Sequence, residues 1–571
     1  MGCEGSKNAD TKVNHEKPLQ NETRKQSSPT QPLKNVENGT IGKPIDICEE
    51  EKEKDKTGEE SSFPEPVEIP DIHATHLLGV TEDSKIEEML ARFGENELFV
   101  DEEFKADQKA LFYSGRVEED VVWLRPKDIV KEGQIPHLTV DGVTRDDIKQ
   151  GILGDCWFLS SCAAVSVQER FMNKIIGKNQ VLCGNGYKGI VHFCMWRFGE
   201  WVDVYIDDLL PTKDGKLFYA KSEDPTEFWP PLIEKAYAKL HGSYEAIEGG
   251  QTMDALVDLT GGLAERCELK EVDVNKFKHF HRAHQAGAFI ACSRKGDWTM
   301  SIEADPNGLV SGHAYSITDL ATVTVKRPGA VEIIERLLRI RNPWGNETEW
   351  RGAWSDDDEN WQWLDEKTRE KLHHISKGDG EFWMRYEDFC SEFSEVTICT
   401  LGPDFDGDGV TDQAGHIEKV KGEWKKDISA GGCRNDLASF ATNPQYLLTL
   451  TEPDDFDSSI DDLDDEGKCS VVIALMQEHR RSQRHLGVKM LQIGFVIYKT
   501  EDPENRLPEK HFRYNYDTGK SGVYINYREV SGRFQLEPGH YIVIPSTFNK
   551  NDTGSFLMRF FAQKKFTVKK M

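Results

Sequence analysis

The reading of this chain turns on residues 150–165, QGILGDCWFLSSCAAV. One cysteine, Cys156, follows the Gly154-Asp155 pair and stands at the head of an apolar run, Trp157 to Val167, whose composition predicts a helix. A thiol attacks a carbonyl only as the thiolate. A helix N-terminus favours the anion, so a cysteine placed there is expected to ionise more readily. By itself, a cysteine in an apolar helix is more often buried packing. Covalent catalysis asks for more: a base, a group that orients the base, and donors for the oxyanion.

The rest of the chain offers a candidate for each. Gln150, upstream, is placed to turn its side-chain amide toward the thiol. His313, in LVSGHAYSIT (309–318), sits at a small-residue turn leading into a strand, so its ring can project from a sheet edge. Asn342, in RNPWG (341–345), ends another strand, where its amide oxygen can hold the imidazole tautomer. Trp344 would cover that hydrogen bond from water. A lone histidine before an aromatic is ordinarily a surface or core residue. The ordered set Q-x5-C-W, G-H-A and N-P-W-G is far more specific than its members.

Composition narrows the class. At 571 residues the chain has room for several domains of roughly 150 residues, and 13 Trp and 28 Phe can fill their cores. A net charge of −29 repels nucleic acid and attracts cations, calcium foremost. No nucleic-acid partner is expected. The 12 cysteines include no CxxC pair, which argues against a zinc ribbon or a disulfide framework. Cys162, Cys183 and Cys194 read as packing or surface thiols. No signal peptide is visible, and no apolar run reaches the roughly 18 residues of a membrane span, so a cytoplasmic protein is expected. The opening MGCEGS fits the pattern for myristoylation at Gly2, with Cys3 beside it open to palmitoylation. One myristoyl chain anchors only marginally, so peripheral membrane attachment calls for Cys3 as well. The rival is a chance match in an unstructured tail.

Four segments follow. Residues 1–74, with the charge run EEEKEKDKTGEE, lack the apolar surface to order themselves and read as a disordered tail. Residues 75–250 carry a helix in DSKIEEMLARFG (83–94), the helix behind Cys156, and paired strands about Gly199 in GIVHFCMWRFGEWVDVYIDD (189–208). A third helix, FWPPLIEKAYAKLHG (228–242), precedes a hinge expected at Gly249-Gly250. Residues 251–401 hold strand-like AYSITDL (314–320) and RLLRIRNPW (336–344). Residues 402–571 turn to short β-branched and aromatic runs between Gly and Pro turns: KCSVVIALM, IGFVIYK, GVYINY, HYIVIPSTF and SFLMRFFA. Strands so spaced predict a β-sandwich.

The block around Cys156 resembles the papain-like nucleophile signature, with Gly-Asp in place of the usual Gly-Ser. In detail it is similar to the calpain family, through QGILGDCW, GEWVDVYIDDLLPTKDG, EFWPPLIEKAYAKLHGSYEAI, GLVSGHAYSIT, RNPWG and DGEFWM, and the likeness covers residues 95–571. The resemblance implies an α+β fold: a papain-like two-lobed protease core (75–250 and 251–401) followed by an antiparallel β-sandwich of the calpain domain III type (402–571). It implies a calcium-dependent intracellular cysteine endopeptidase that cuts protein substrates at limited sites. Cys156 would be the nucleophile, His313 the base and acid, and Asn342 the orienter. Gln150 and the Cys156 N–H would form the oxyanion hole, and Trp344 would be a wedge that moves before the site closes. Calcium would bring the halves into register, held in the first by the carbonyls of Val140 and Gly142 with Asp147 and Glu227. In the second it would be held by Glu349, Asp356, Asp379 and Glu381 with the carbonyl of Lys377. Solvated carboxylates are the bland reading in so acidic a chain. Glu349 rather than Glu347 is a choice, because NPWGNETEW carries one residue more than the usual spacing. The classical family members continue into a penta-EF-hand domain and this chain stops at Met571, so no small-subunit partner is implied unless the chain is a truncated form of a longer calpain.

Some features point elsewhere. DFDGDGVTDQAG (404–415) opens like an EF-hand loop, but Gly415 stands where a bidentate Glu belongs, so it is rejected. EPDDFDSSIDDLDDEG (452–467) resembles the acidic loop of the calpain sandwich, against the alternative of a solvated loop. The basic EHRRSQRH (478–485) would face that loop or meet phospholipid headgroups. Two rival functions stand beside the protease. A calcium-dependent transglutaminase shares Gly-x-Cys-Trp but would have Asp where Asn342 stands, and a catalytically silent scaffold would lack one of the three residues.

Overall fold

The computed structural model describes residue 88, residues 91–94 and residues 97–571, apart from 297–302, 330, 403–414, 456–464 and 479. The tail 1–74 with Gly2 and Cys3, most of the helix expected over 83–94, residues 404–414 and the centre of the acidic loop therefore lie outside the described residues. The chain forms two units, Met1–Glu68 and Ile69–Met571, and all described residues belong to the second.

The helix behind the cysteine runs Cys156–Ser166 and is buried along its whole length. It has no polar face to turn outward, because other elements enclose it. Its small residues let the Thr252–Thr260 helix lie close. Phe158 stacks on Tyr237 at 4.0 Å, from the Trp229–His241 helix. That helix accommodates Pro230 and Pro231 in its first turn, where no N–H partner is needed, and stops at Gly242 with φ 95°. The strands Ile190–Arg197 and Glu200–Asp207 pair in register through a two-residue turn, Phe198-Gly199, both with positive φ.

The Thr252–Thr260 helix lends Met253, Leu256, Val257 and Leu259 to the same core as Trp157 and Phe158. That core also takes Ala264, Phe289 and Ala314 from the sheet that follows, so it runs across the Gly249-Gly250 boundary expected from sequence. The glycine pair is tied down instead: the Gly249 N–H donates to the Gly154 carbonyl at 2.8 Å. A Cβ on Gly250 would meet the Trp157 indole at 2.3 Å. Composition marked the glycines; close approach is the physical reason for them.

The second lobe is a six-stranded antiparallel sheet. Its order is Glu381–Arg385, Ile333–Arg341, Ala314–Val325, Phe289–Ser293, Glu395–Thr400 and Leu263–Glu268. His313 immediately precedes the third of these and Asn342 immediately follows the second. The pairing of Ser316 with Arg341 sets those two strand ends side by side.

The C-terminal part is a sandwich of a four-stranded and a five-stranded antiparallel sheet. Strands form over Cys469–Gln477, Ile493–Lys499, Gly539–Thr547 and Gly554–Ala562, where expected. GVYINY is the exception: it makes only an isolated bridge, Ile525 with Ile493, because the edge of that sheet is already taken by Gly519–Lys520.

The sandwich docks on the protease lobes through buried arginines. Arg528 donates to both Asp258 carboxylate oxygens at 2.7 Å, and Arg559 to the Gly262 carbonyl at 2.6 Å. Arg481 of the basic segment at 478–485 joins this seam. Arg481 donates to the carbonyls of Ala246 and Gly249 at 3.1 and 2.9 Å, and its guanidinium lies 4.8 Å from the Trp157 ring centroid. Buried carbonyls at the ends of the lobe's turns need donors, and this segment supplies them.

Candidate active site

His313 and Asn342 reach each other from neighbouring strand ends. The imidazole Nε2 lies 2.9 Å from Asn342 Oδ1, which also accepts the Trp344 N–H at 3.1 Å. Asn342 Nδ2 donates to the Thr348 carbonyl at 3.1 Å, so the amide is fixed with its oxygen toward the ring. An oxygen acceptor there requires the proton on Nε2 and leaves Nδ1 as the free base. Trp344 packs over the imidazole at 5.1 Å and Tyr315 meets it edge-on at 5.0 Å. Both His313 and Asn342 are buried, at 1% and 0% exposure.

Cys156 comes from the other lobe, at the first position of its helix, and its thiol lies within hydrogen-bond reach of the Ala314 backbone, next to His313. The structure thus brings together three residues that the chain separates widely. Burial pushes the Cys156 thiol up to about 11, against the pull of the Ala314 and helix-start N–H groups and with the push of Asp155. Burial likewise lowers the His313 imidazole to about 4, outweighing its bond to Asn342. Burial thus opposes the lowering that the helix start alone would give, because an anion loses its water there. It disfavours the charged form of both groups.

Gln150 holds its amide nitrogen 2.8 Å from the Leu153 carbonyl, on the loop that leads into Cys156. Its Oε1 is buried without a hydrogen-bond partner among the described residues. One N–H of that amide remains for a ligand.

The acidic candidates fall into two groups. In the first lobe Glu227 takes the Val140 N–H at 2.7 Å and the Ser222 hydroxyl at 2.6 Å. Asp147 takes the Thr144 N–H at 2.7 Å and the Trp229 indole N–H at 3.0 Å. Burial, and then the charge of Asp147, push the Glu227 carboxyl up to about 7. Gly142 turns this loop with φ 98°. In the second lobe Glu349 takes the Gly380 N–H at 2.7 Å and Asp356 takes the Lys377 N–H at 3.1 Å. Burial and the charges of Asp356 and Asp379 push Glu349 up to about 7. Glu349, not Glu347, thus stands with those two aspartates. Glu381 does not turn its carboxylate to them: Oε2 pairs with Arg145 at 2.8 Å and Arg339 at 2.6 Å, and Oε1 takes the Thr318 hydroxyl at 2.7 Å. Two arginines outcompete a cluster of like charges. Among the described residues no three His, Cys, Asp or Glu side chains converge as a metal-binding group.

Sequence reasoning missed two features. The Arg145–Glu381 bridge joins the lobes, and no local pattern marks it because its partners lie 236 residues apart. Asp155 and Glu234 are both buried, at 0% and 1% exposure, in segments that read as a turn and as an ordinary helix.

Comparison with known proteins shows the family. Residues 99–400 match the model of the calpain family cysteine protease, and residues 420–561 match calpain large subunit domain III. The chain belongs to the calpain family. It is 42% identical to Calpain-A of Drosophila melanogaster over 472 residues, covering 82% of this chain and 56% of that one. It is 41% identical to human Calpain-9 over 505 residues (88% and 69%) and to the human Calpain-1 catalytic subunit over 478 (82% and 65%). The chain therefore spans little more than half the length of the fly calpain.

Proposed function

We propose that this calpain-family chain is a calcium-dependent cysteine endopeptidase that cleaves protein substrates at limited sites. The observation that carries it is the buried His313–Asn342 bond of 2.9 Å, set beside a thiol at a helix start. His313 Nδ1 takes the Cys156 proton as sulfur attacks the peptide carbonyl, and the imidazolium returns that proton to the leaving amine. Water, deprotonated by the same nitrogen, then releases the acyl group. The oxyanion would be met by the Cys156 N–H and the remaining Gln150 amide proton. Asn342 keeps the ring in the working tautomer, and Trp344 keeps water from that bond.

The donor sets fit calcium in their chemistry: hard oxygen atoms throughout, with carboxyls that burial and like charge hold partly protonated. Asp147 and Glu227 with the carbonyls of Val140 and Gly142 would hold one ion. Glu349, Asp356 and Asp379 with the Lys377 carbonyl would hold a second. Bound calcium would supply the positive charge these clusters lack. The Asn at 342 favours this reading over transglutamination, and the presence of all three catalytic side chains favours it over a silent scaffold. Acylation at Gly2 and Cys3 would add peripheral membrane attachment to a cytoplasmic enzyme.

Casein cleavage by the purified chain across a calcium titration, with Cys156→Ala alongside, tests the proposal. Calcium-dependent cleavage lost in the variant is expected. Cleavage indifferent to chelator would remove the calcium dependence, and amine incorporation without cleavage would replace the protease by the transglutaminase.

A further inference from the structure

Asp155 immediately precedes the nucleophile, is fully buried, and finds no hydrogen-bond donor beyond its own backbone N–H for its carboxylate among the described residues. The side chain within hydrogen-bond reach of it is another carboxyl, Glu234, from the Trp229–His241 helix. Glu234 is equally buried and takes the Ala220 N–H on both oxygens, at 3.2 and 3.1 Å. Two carboxylates in contact have only acceptors to offer each other. Without a proton between them the arrangement is two buried like charges, which a protein interior does not sustain. With one, Asp155 gains the donor it lacks.

We propose that Asp155 and Glu234 are a proton-sharing carboxyl pair, positioning residues whose charge state sets how readily Cys156 gives up its proton; this deepens the cysteine-protease reading and rests on it. The groups facing the pair add no counter-charge. They are Cys156 and Cys162 of the nucleophile helix, Glu248 of the turn after the Trp229–His241 helix, and the phenols of Tyr219 and Tyr244. The direction of each effect agrees: burial raises Asp155 to about 7 and Glu234 well above its ordinary value, and Asp155 raises Cys156. Near neutrality, loss of a proton from the pair to solvent therefore places a negative charge behind the sulfur just where it opposes the thiolate. Ionisation of the pair near neutrality would flatten the rise of thiolate with pH and delay it to higher pH.

The test uses the full chain in chelator and follows alkylation of Cys156 by iodoacetamide, read by mass on the Cys156 peptide, across pH 5 to 9. Wild type is expected to show a break near neutrality in addition to the thiol titration. Glu234→Gln, whose amide donates to Asp155 and holds it ionised, is expected to lose that break. The double variant Asp155→Asn, Glu234→Gln keeps the shape without charge, and its thiol pKa is expected to fall by roughly one unit or more. Superimposable profiles for all three folded proteins would overturn the proposal. Infrared difference spectra of wild type against Glu234→Gln supply an independent reading: a buried protonated-carboxyl C=O band missing from the variant supports the pair, and its absence from wild type overturns it. Neither arm needs proteolysis, so a pair that titrates in a chain that does not cut casein would sink the protease reading and leave this one standing.

Discussion

Asn342 shows how much one side chain settles here. Its oxygen takes both the His313 ring proton and the Trp344 N–H, so the ring cannot turn without breaking a bond inside a dry pocket. Asn342→Ala is expected to lower kcat on casein on the order of 10²-fold with little change in KM, measured by steady-state kinetics on protein of unchanged melting temperature. His313 carries a pH dependence of its own. Its imidazole is lowered from 6.5 to about 4 in the folded chain, so between those values the unfolded form takes up a proton that the folded form refuses. Stability contributed by the neutral ring is complete above pH 6.5 and is lost as pH falls toward 4. One such proton gives a slope of roughly 1.4 kcal/mol per pH unit. Denaturant midpoints taken through that window should fall less steeply for His313→Gln than for wild type; equal slopes would show that the ring is not buried neutral.

At the scale of elements, the nucleophile helix depends on how closely its neighbours come. Trp157 donates its indole N–H to the Ile247 carbonyl at 2.9 Å, and Gly250 passes against the ring where a methyl would overlap it. Gly250→Ala is expected to cost about 1–3 kcal/mol of stability and to slow Cys156 alkylation, because the indole must shift and it adjoins the nucleophile. A melting temperature within a degree or so of wild type would contradict that packing. The same helix explains a mismatch between expectation and structure. Its start is the right place for a thiolate by dipole alone, but burial on every side opposes that effect.

For the whole molecule, the sandwich holds the nucleophile lobe from behind. Arg528 spans two buried aspartates, and its removal would take away the cation that hydrogen-bonds them, leaving Arg481 near Asp254 and Arg197 near Asp258. Arg528→Ala is expected to destabilise the chain by about 3–5 kcal/mol, read from chemical denaturation of the full chain. Two separated transitions in the variant where wild type shows one would place the seam's contribution in coupling the domains. Across the front, Arg145 and Glu381 join the two lobes. Arg145→Ala leaves a buried carboxylate with Arg339 as its remaining cation, and it should raise the calcium concentration needed for half-maximal casein cleavage several-fold; an unchanged midpoint would separate the bridge from lobe assembly.

The residues proposed to do chemistry stand out in the sequence because each sits at a junction of punctuation and pattern: Cys156 where Gly-Asp meets an apolar run, His313 and Asn342 at the ends of strand-like runs bounded by Gly and Pro. The sandwich strands were legible for the same reason, except GVYINY, whose β-propensity had no open sheet edge to join. What the chain could not disclose alone were effects that depend on who stands opposite. The helix Thr252–Thr260 packs into a core shared by the nucleophile helix and the sheet that follows, and Glu381 left its acidic neighbours for two arginines. Arg481 of EHRRSQRH found buried carbonyls, and the proton proposed between Asp155 and Glu234 depends on folding removing both from water. Local pattern determines residue type, element and order along the chain; desolvation and partner choice are properties of the packed interior, and only the tertiary structure decides them.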